Sequence, residues 1–255
     1  MGHSLFSCNM MVLCVSGIWA LLLYFAGATQ IIGGHDETPH SRPYEAFLLV
    51  KRGQGSFNCG GSLIREDFIL TAAHCNGNNI TAILGAQNVN DNENSQQIIK
   101  VVKKFPFPSY CRKGLNDDIM LLKLERNASL NSQVGIAPLP QEEHKVKVGS
   151  SCWLAGWGAT DPDGYNSSST LKAVELTVVR DLCKQNWRRQ FNEFKICASR
   201  PMAGGCKGDS GAPLVCKGVV EGVLSSGGMP CGFYPSMFTR VSVYLDWIAG
   251  ILVNN

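Results

Sequence analysis

The chain has 255 residues, 45% of them hydrophobic and 17% charged, with a formal charge of +3. That balance excludes a disordered polymer and a strongly basic nucleic-acid binder, and the length supports a sizeable core. Basic residues still cluster at Lys100, Lys103, Lys104, Arg112 and Lys113, and again at Arg180, Lys184, Arg188 and Arg189. These runs read as solvated faces, with a polyanion site as the alternative.

Taken in order, residues 11–28 form an apolar stretch ending in Ala26-Gly27-Ala28, the small-x-small pattern of signal peptidase cleavage. Residues 1–28 are therefore predicted to be a signal peptide. The leading segment lacks Lys and Arg, so an uncleaved anchor is the competing reading. No later stretch is long enough to span a bilayer, and no membrane association is expected once the signal is removed.

Short apolar runs follow, separated by Gly, Asn, Asp and Pro: "EAFLLVKR" from Glu45, "DFILTAAH" from Asp67, "NITAILGA" from Asn79, "QQIIKVVKK" from Gln96 and "DIMLLKL" from Asp118. Later come "SCWLAGWG" from Ser151, "LKAVELTVV" from Leu171 and "APLVCKGVVEGVLSS" from Ala212. Such punctuation predicts an all-β sandwich or barrel. Only the end reads as helical, with Val241, Tyr244, Leu245, Ile248 and Leu252 on one face. The irregular stretch Ile136–Gly149 places a boundary between two β units near residue 138.

Beyond the signal, nine cysteines remain: Cys59, Cys75, Cys111, Cys152, Cys183, Cys197, Cys206, Cys216 and Cys231. An odd number in a secreted chain predicts disulfides plus one leftover thiol. No CxxC or Cys/His cluster has zinc spacing, so no metal and no cofactor are expected. Sequons at Asn79, Asn127 and Asn166 predict glycosylation of a secreted surface.

Three stretches carry the parts of nucleophilic catalysis: "LTAAHC" with His74, "NDDIMLLKL" with Asp117 and Asp118, and "CKGDSGAPL" with Ser210. A serine nucleophile needs a base, and the base needs a group that fixes its tautomer. Singly, each reads as structural: a core histidine, an exposed turn, a loop serine. Together, in the order His, Asp, Ser, they form a specific signal. The competing GxSxG elbow is disfavoured because "GDSGA" lacks the final glycine, Pro213 follows and the triad order differs.

From "IIGG" through "TAAHC", "DIMLL", "AGWG" and "GDSGAP" to the final helix, the chain resembles a chymotrypsin-fold serine protease. That resemblance implies two six-stranded antiparallel β-barrels and a C-terminal helix, over residues 31–137 and 138–255. It makes His74 the general base, Asp118 the orienting carboxylate with Asp117 as runner-up, and Ser210 the nucleophile of a serine endopeptidase. Gly208 and Ser210 would supply the oxyanion hole. Ala212 stands where the family usually has glycine, a change of one methyl group. Family-like pairing joins Cys59 to Cys75, Cys152 to Cys216, Cys183 to Cys197 and Cys206 to Cys231, leaving Cys111 an unpaired thiol.

By the same resemblance, Gly204 floors the pocket for the residue before the cut bond, with Gly205, Ser225, Ser226, Gly227 and Ser236 around it. No charge waits there, which predicts cleavage after Phe, Tyr, Leu or Met. Lys207 either favours acidic residues beyond the cut or points into solvent. Ser226 replaces the family's usual aromatic platform, as in complement factor D, while "GAQNVNDNENSQQIIKVVKKFPFPSY" is similar to granzymes and mast-cell proteases. Activation would remove Thr29-Gln30 and pair the freed Ile31 amine with Asp209. The implied protein is a monomer, secreted or granule-stored, meeting protein or peptide substrates, serine protease inhibitors and a polyanionic proteoglycan. A catalytically weak homologue acting as a binding or antimicrobial protein is the alternative.

Overall fold

The run "EAFLLVKR" forms β2 (Glu45–Arg52), in which Ala46, Phe47, Leu48 and Val50 are buried while Leu49 and Lys51 face out. In the computed structural model, which describes residues 31–255, five further strands close with it into a barrel. They are β3 (Gly55–Arg65), β4 (Phe68–Thr71), β5 (Asn79–Leu84), β6 (Gln97–Pro106) and β7 (Met120–Leu124). The order is β2-β3-β4-β7-β6-β5, with β5 returning to β2. Closure leaves no open edge, and the interior is filled by wholly buried Leu48, Val50, Leu63, Phe68, Leu70, Leu84 and Leu122. The expected signal peptide, residues 1–28, and the Thr29-Gln30 dipeptide lie outside the described residues.

A second antiparallel barrel is built from β8 (Ser151–Gly156), β9 (Lys172–Val179), β10 (Lys195–Ser199), β11 (Pro213–Cys216), β12 (Val219–Ser226) and β13 (Ser236–Arg240). Its order is β8-β9-β10-β13-β12-β11, closed by β11 on β8, and the two-residue β1 (His35–Asp36) adds to β9. The run from Ala212 is thus two strands. Lys217 and Gly218, both at positive φ, make the two-residue hairpin turn between them. The two barrels meet through Phe47 and Trp157, whose rings pack edge to face 5.7 Å apart, in a cluster with Ala86, Ala155, Leu171 and Ala173.

The final helix, α2 (Leu245–Asn254), occurs where the periodicity placed it, preceded by a short 3-10 turn at Val241–Val243. Val241, Tyr244 and Ile248 pack into the core cluster of the first barrel. A second helix, α1 (Asp181–Trp187), contradicts the reading that only the end is helical. Its sequence is too short and polar to show a period. Tertiary contacts hold it instead: Cys183 is bridged to Cys197, and the Trp187 indole donates to the Pro235 carbonyl at 2.9 Å.

The four disulfides join Cys59 to Cys75, Cys152 to Cys216, Cys183 to Cys197 and Cys206 to Cys231. Among the described residues Cys111 is free, and it is exposed. Asn79, Asn127 and Asn166 are all exposed, and Asn127 donates to Glu66 at 2.9 Å.

Candidate active site

His74 sits in a single turn, Ala73–Cys75, just after β4, and the Cys59–Cys75 bridge ties that turn to β3. Its Nδ1 lies 2.7 Å from Asp118 Oδ2, and its backbone N–H donates to Asp118 Oδ1 at 2.9 Å. The second barrel completes the cradle: Ser225 Oγ donates to Asp118 Oδ2 at 2.6 Å, and Thr239 Oγ1 donates to the Asp118 carbonyl at 3.0 Å. Burial of Asp118 pushes its carboxyl pKa up. The hydrogen bonds and charge of His74, with the Ser225 hydroxyl, outweigh that and hold it below the usual carboxylate value.

Asp117 is turned the other way. With φ at +51° it accepts hydrogen bonds from Tyr244 Oη at 2.7 Å and Ser109 Oγ at 3.0 Å. Of the two neighbouring aspartates, Asp118 is the one in contact with His74. Behind it lies Lys195, 1% exposed, whose Nζ donates to the Leu115 carbonyl at 2.6 Å and to Thr239 Oγ1 at 3.1 Å. Burial pulls the Lys195 ammonium down to about 8, against the pull of Asp118 and Asp117. No spacing in the sequence marks Lys195 or Thr239 as neighbours of the site, since both come from second-barrel strands that are buried almost throughout and show no alternation.

Ser210 is fixed by its backbone. Its carbonyl accepts from Gly60 N–H at 2.7 Å and lies 3.5 Å from Cys75 Sγ, beside the His74 turn. This approach explains Gly60 in β3, where a Cβ would fall 2.8 Å from the Ala212 Cβ, whereas a Cβ on Gly61 would fall 2.7 Å from Ile69 Cγ2 within the first barrel. Among the described residues, the Ser210 hydroxyl has no hydrogen-bond partner, and the N–H groups of Gly208 and Ser210 donate to nothing. Gly208 has φ +98°, and a Cβ there would lie 3.0 Å from Gly158 Cα. The loop therefore presents two unspent donors flanking a hydroxyl.

Between them, Asp209 is wholly buried. Its carboxylate is wedged against Gly156 and Gly158 and accepts from Gly158 N–H at 2.8 Å and Cys206 N–H at 3.0 Å. No cation pairs with it among the described residues, and burial pushes its pKa up to about 7. Ile31 is also fully buried, packed in the core cluster of the second barrel, while Ile32 accepts from Gly204 N–H at 3.0 Å.

The expected pocket residues divide. Gly205 N–H donates to Ser236 Oγ at 3.2 Å, and a Cβ on Gly204 would lie 2.8 Å from that hydroxyl. A Cβ on Gly227 would lie 2.2 Å from the Gly205 carbonyl oxygen. Those two backbones are thus in contact, with no slot between them for a side chain. Ser225 spends its hydroxyl on Asp118, and Ser226 is half-buried beside a register shift in the β12–β13 pairing. Lys207 Nζ lies 5.0 Å from the Tyr165 ring centre and donates to the Asp163 carbonyl at 3.1 Å.

The model of the family described as Trypsin matches residues 31–248. The chain belongs to the trypsin family. Rat granzyme B is 48% identical over 226 residues, covering 87% of this chain and 90% of the relative. Human granzyme B is 44% identical over 235 residues, covering 89% and 93%. Sheep mast cell protease 2 is 42% identical over 238 residues, covering 92% and 96%. The solved structure of GrC superposes with a TM-score of 0.83 at 42% identity, covering 87% of this chain and 99% of that one. This trypsin-family chain is a granzyme-like serine endopeptidase.

Proposed function

We propose that Ser210 attacks the substrate carbonyl while His74 takes its proton and later returns it to the leaving amine, with Asp118 holding the His74 tautomer. The bidentate contact between Asp118 and His74 carries this reading: one oxygen on Nδ1 at 2.7 Å and the other on the backbone N–H at 2.9 Å leave Nε2 as the free nitrogen. The unspent Gly208 and Ser210 N–H groups are suited to the developing oxyanion. Uncharged Gly204, Gly205 and Ser236 favour large apolar side chains. Their entry requires the Ser226–Gly228 segment to move off the Gly205 carbonyl.

Removal of Thr29-Gln30 would give Ile31 a free ammonium, the counter-charge that buried Asp209 lacks. A secreted or granule-stored monomer, open to protease inhibitors and to a polyanionic proteoglycan at Arg180, Lys184, Arg188 and Arg189, is consistent with the apolar residues 11–28, the disulfides and the exposed basic runs.

The test is protein beginning at Ile31, assayed on peptides varied at the residue before the cut. Ser210→Ala should lower kcat by about 10⁶-fold and leave KM little changed. Activity near wild type would sink the assignment, and Arg or Asp proving the best residue before the cut would sink the pocket.

A further inference from the structure

A cavity of about 500 Å³ opens beside His74, and among the described residues no carboxylate lines it. Arg52, Lys104 and Arg112 all reach its wall, and none of the three is ion-paired among the described residues. Two of these cations are held in place by backbone. Arg52 donates to the carbonyls of His74 at 2.7 Å and Asn76 at 2.9 Å, and Lys104 donates to those of Gly77 at 2.6 Å and Asn78 at 3.2 Å. Carbonyl oxygens orient the cations without neutralising them, so the positive charge stays available in the cavity. Among the described residues Arg112 has no hydrogen-bond partner, and it is exposed with its guanidinium fork free.

One polar group in the same wall is left unsatisfied. The Tyr110 hydroxyl is buried and has no partner among the described residues. Burial pushes its pKa up to about 12, against the influence of Arg112 and Arg52, so it stays a donor throughout the physiological range. An unpaired buried hydroxyl beside three unpaired cations is a site short of an acceptor with negative charge.

We propose that this cavity is a subsite for a carboxylate side chain of the substrate, an Asp or Glu within two residues of the cut but not the one directly before it, seated on Arg112, Lys104 and Tyr110. This rests on the proteolytic reading, because His74 forms part of the cavity wall and whatever fills it lies next to the reacting bond. The same nearness favours a substrate side chain over a long sulfated polysaccharide, which would lie across the catalytic cleft.

The test uses the chain beginning at Ile31 and peptide pairs differing only as Asp/Asn or Glu/Gln at the second position before the cut or at either of the two positions after it, the residue directly before the cut being held apolar. At one position the acid should raise kcat/KM about tenfold, the size of a charge-assisted hydrogen bond in a partly open site. Added salt should erode that gain. Arg112→Ala and Tyr110→Phe should bring the ratio towards one while leaving cleavage of the neutral peptides unchanged. Cleavage with no acid preference, or a preference that survives both variants, overturns the subsite. Retention on a heparin column that is lost in Arg112→Ala, together with no acid preference among peptides, overturns it in favour of a polyanion site. Binding of the same pairs to Ser210→Ala protein keeps the two readings apart: tighter binding of the acid with no cleavage by the wild type supports the subsite and overturns the proteolytic roles.

Discussion

Ser225 and His74 bind the same oxygen of Asp118, at 2.6 and 2.7 Å, from opposite barrels. Ser225→Ala should therefore strip one donor from a buried carboxylate without touching the His74 contact. We expect kcat to fall about tenfold with KM nearly constant, because a hydrogen bond to a charged group contributes about 1.5 to 3 kcal/mol. The Asp118 pKa should rise with loss of that donor, moving its carboxyl titration profile upward. A profile and rate matching wild type would show that His74 alone orients the carboxylate.

Asp209 gives stability a pH dependence in the untrimmed chain. Its folded pKa of about 7 lies above the ordinary 3.8, so the folded form binds the proton more tightly than the unfolded one. This contribution is fully present below the unfolded value and is lost as pH rises from about 4 through 7. The loss is on the order of 4 kcal/mol. In protein starting at Ile31, the new ammonium should remove most of it. Denaturant midpoints for the Thr29 and Ile31 forms should converge at pH 4 and separate by pH 7.5. A constant gap would mean that the amine never reaches Asp209.

Lys195 works in the other direction. Its folded pKa of about 8 lies below the ordinary 10.5, so between those values the unfolded chain holds a proton that the folded one has shed. Stability should rise with pH across that window and fall again as pH drops through 8. Lys195→Met removes this pH dependence. The difference between wild type and variant should change by on the order of 2 to 3 kcal/mol between pH 7.5 and 10.5, measured by urea unfolding.

Gly227 packs against the Gly205 carbonyl so closely that even one methyl group cannot fit in the arrangement seen. Gly227→Val should cut kcat/KM on peptides with Phe, Tyr, Leu or Met before the cut by at least about tenfold, through a lost pocket rather than a lost triad. Reaction with a small fluorophosphonate, which needs little of the pocket, should survive. Loss of both would place Gly227 in the catalytic loop's support.

Residues whose period matched their burial were legible in the sequence: β2, the strand from Gln97 and the helix with Tyr244 and Ile248 on its inner face. The strand Gly55–Arg65 was not, because Gly60 and Gly61 are chosen for backbone approach to Ala212 and Ile69, and glycine carries no strand signal. Strands Lys195–Ser199 and Ser236–Arg240 escaped for want of alternation, being buried along almost their whole length. At the site, the His74 and Asp118 motifs were readable, but the choice between Asp117 and Asp118 depends on a backbone dihedral. The contact between Gly205 and Gly227 is a distance between segments far apart in sequence, which spacing along the chain does not encode.

The docking of Val241, Tyr244 and Ile248 onto the first barrel has a consequence for how the molecule is made. As the chain leaves the ribosome, residues 45–124 can pair into strands, but their core stays uncovered until the last stretch emerges. At that stage His74 and Asp118 exist without Ser210 or Ser225, which come from the second half. A chain synthesised only that far therefore lacks both the Ser225 donor to Asp118 and the Ser210 loop.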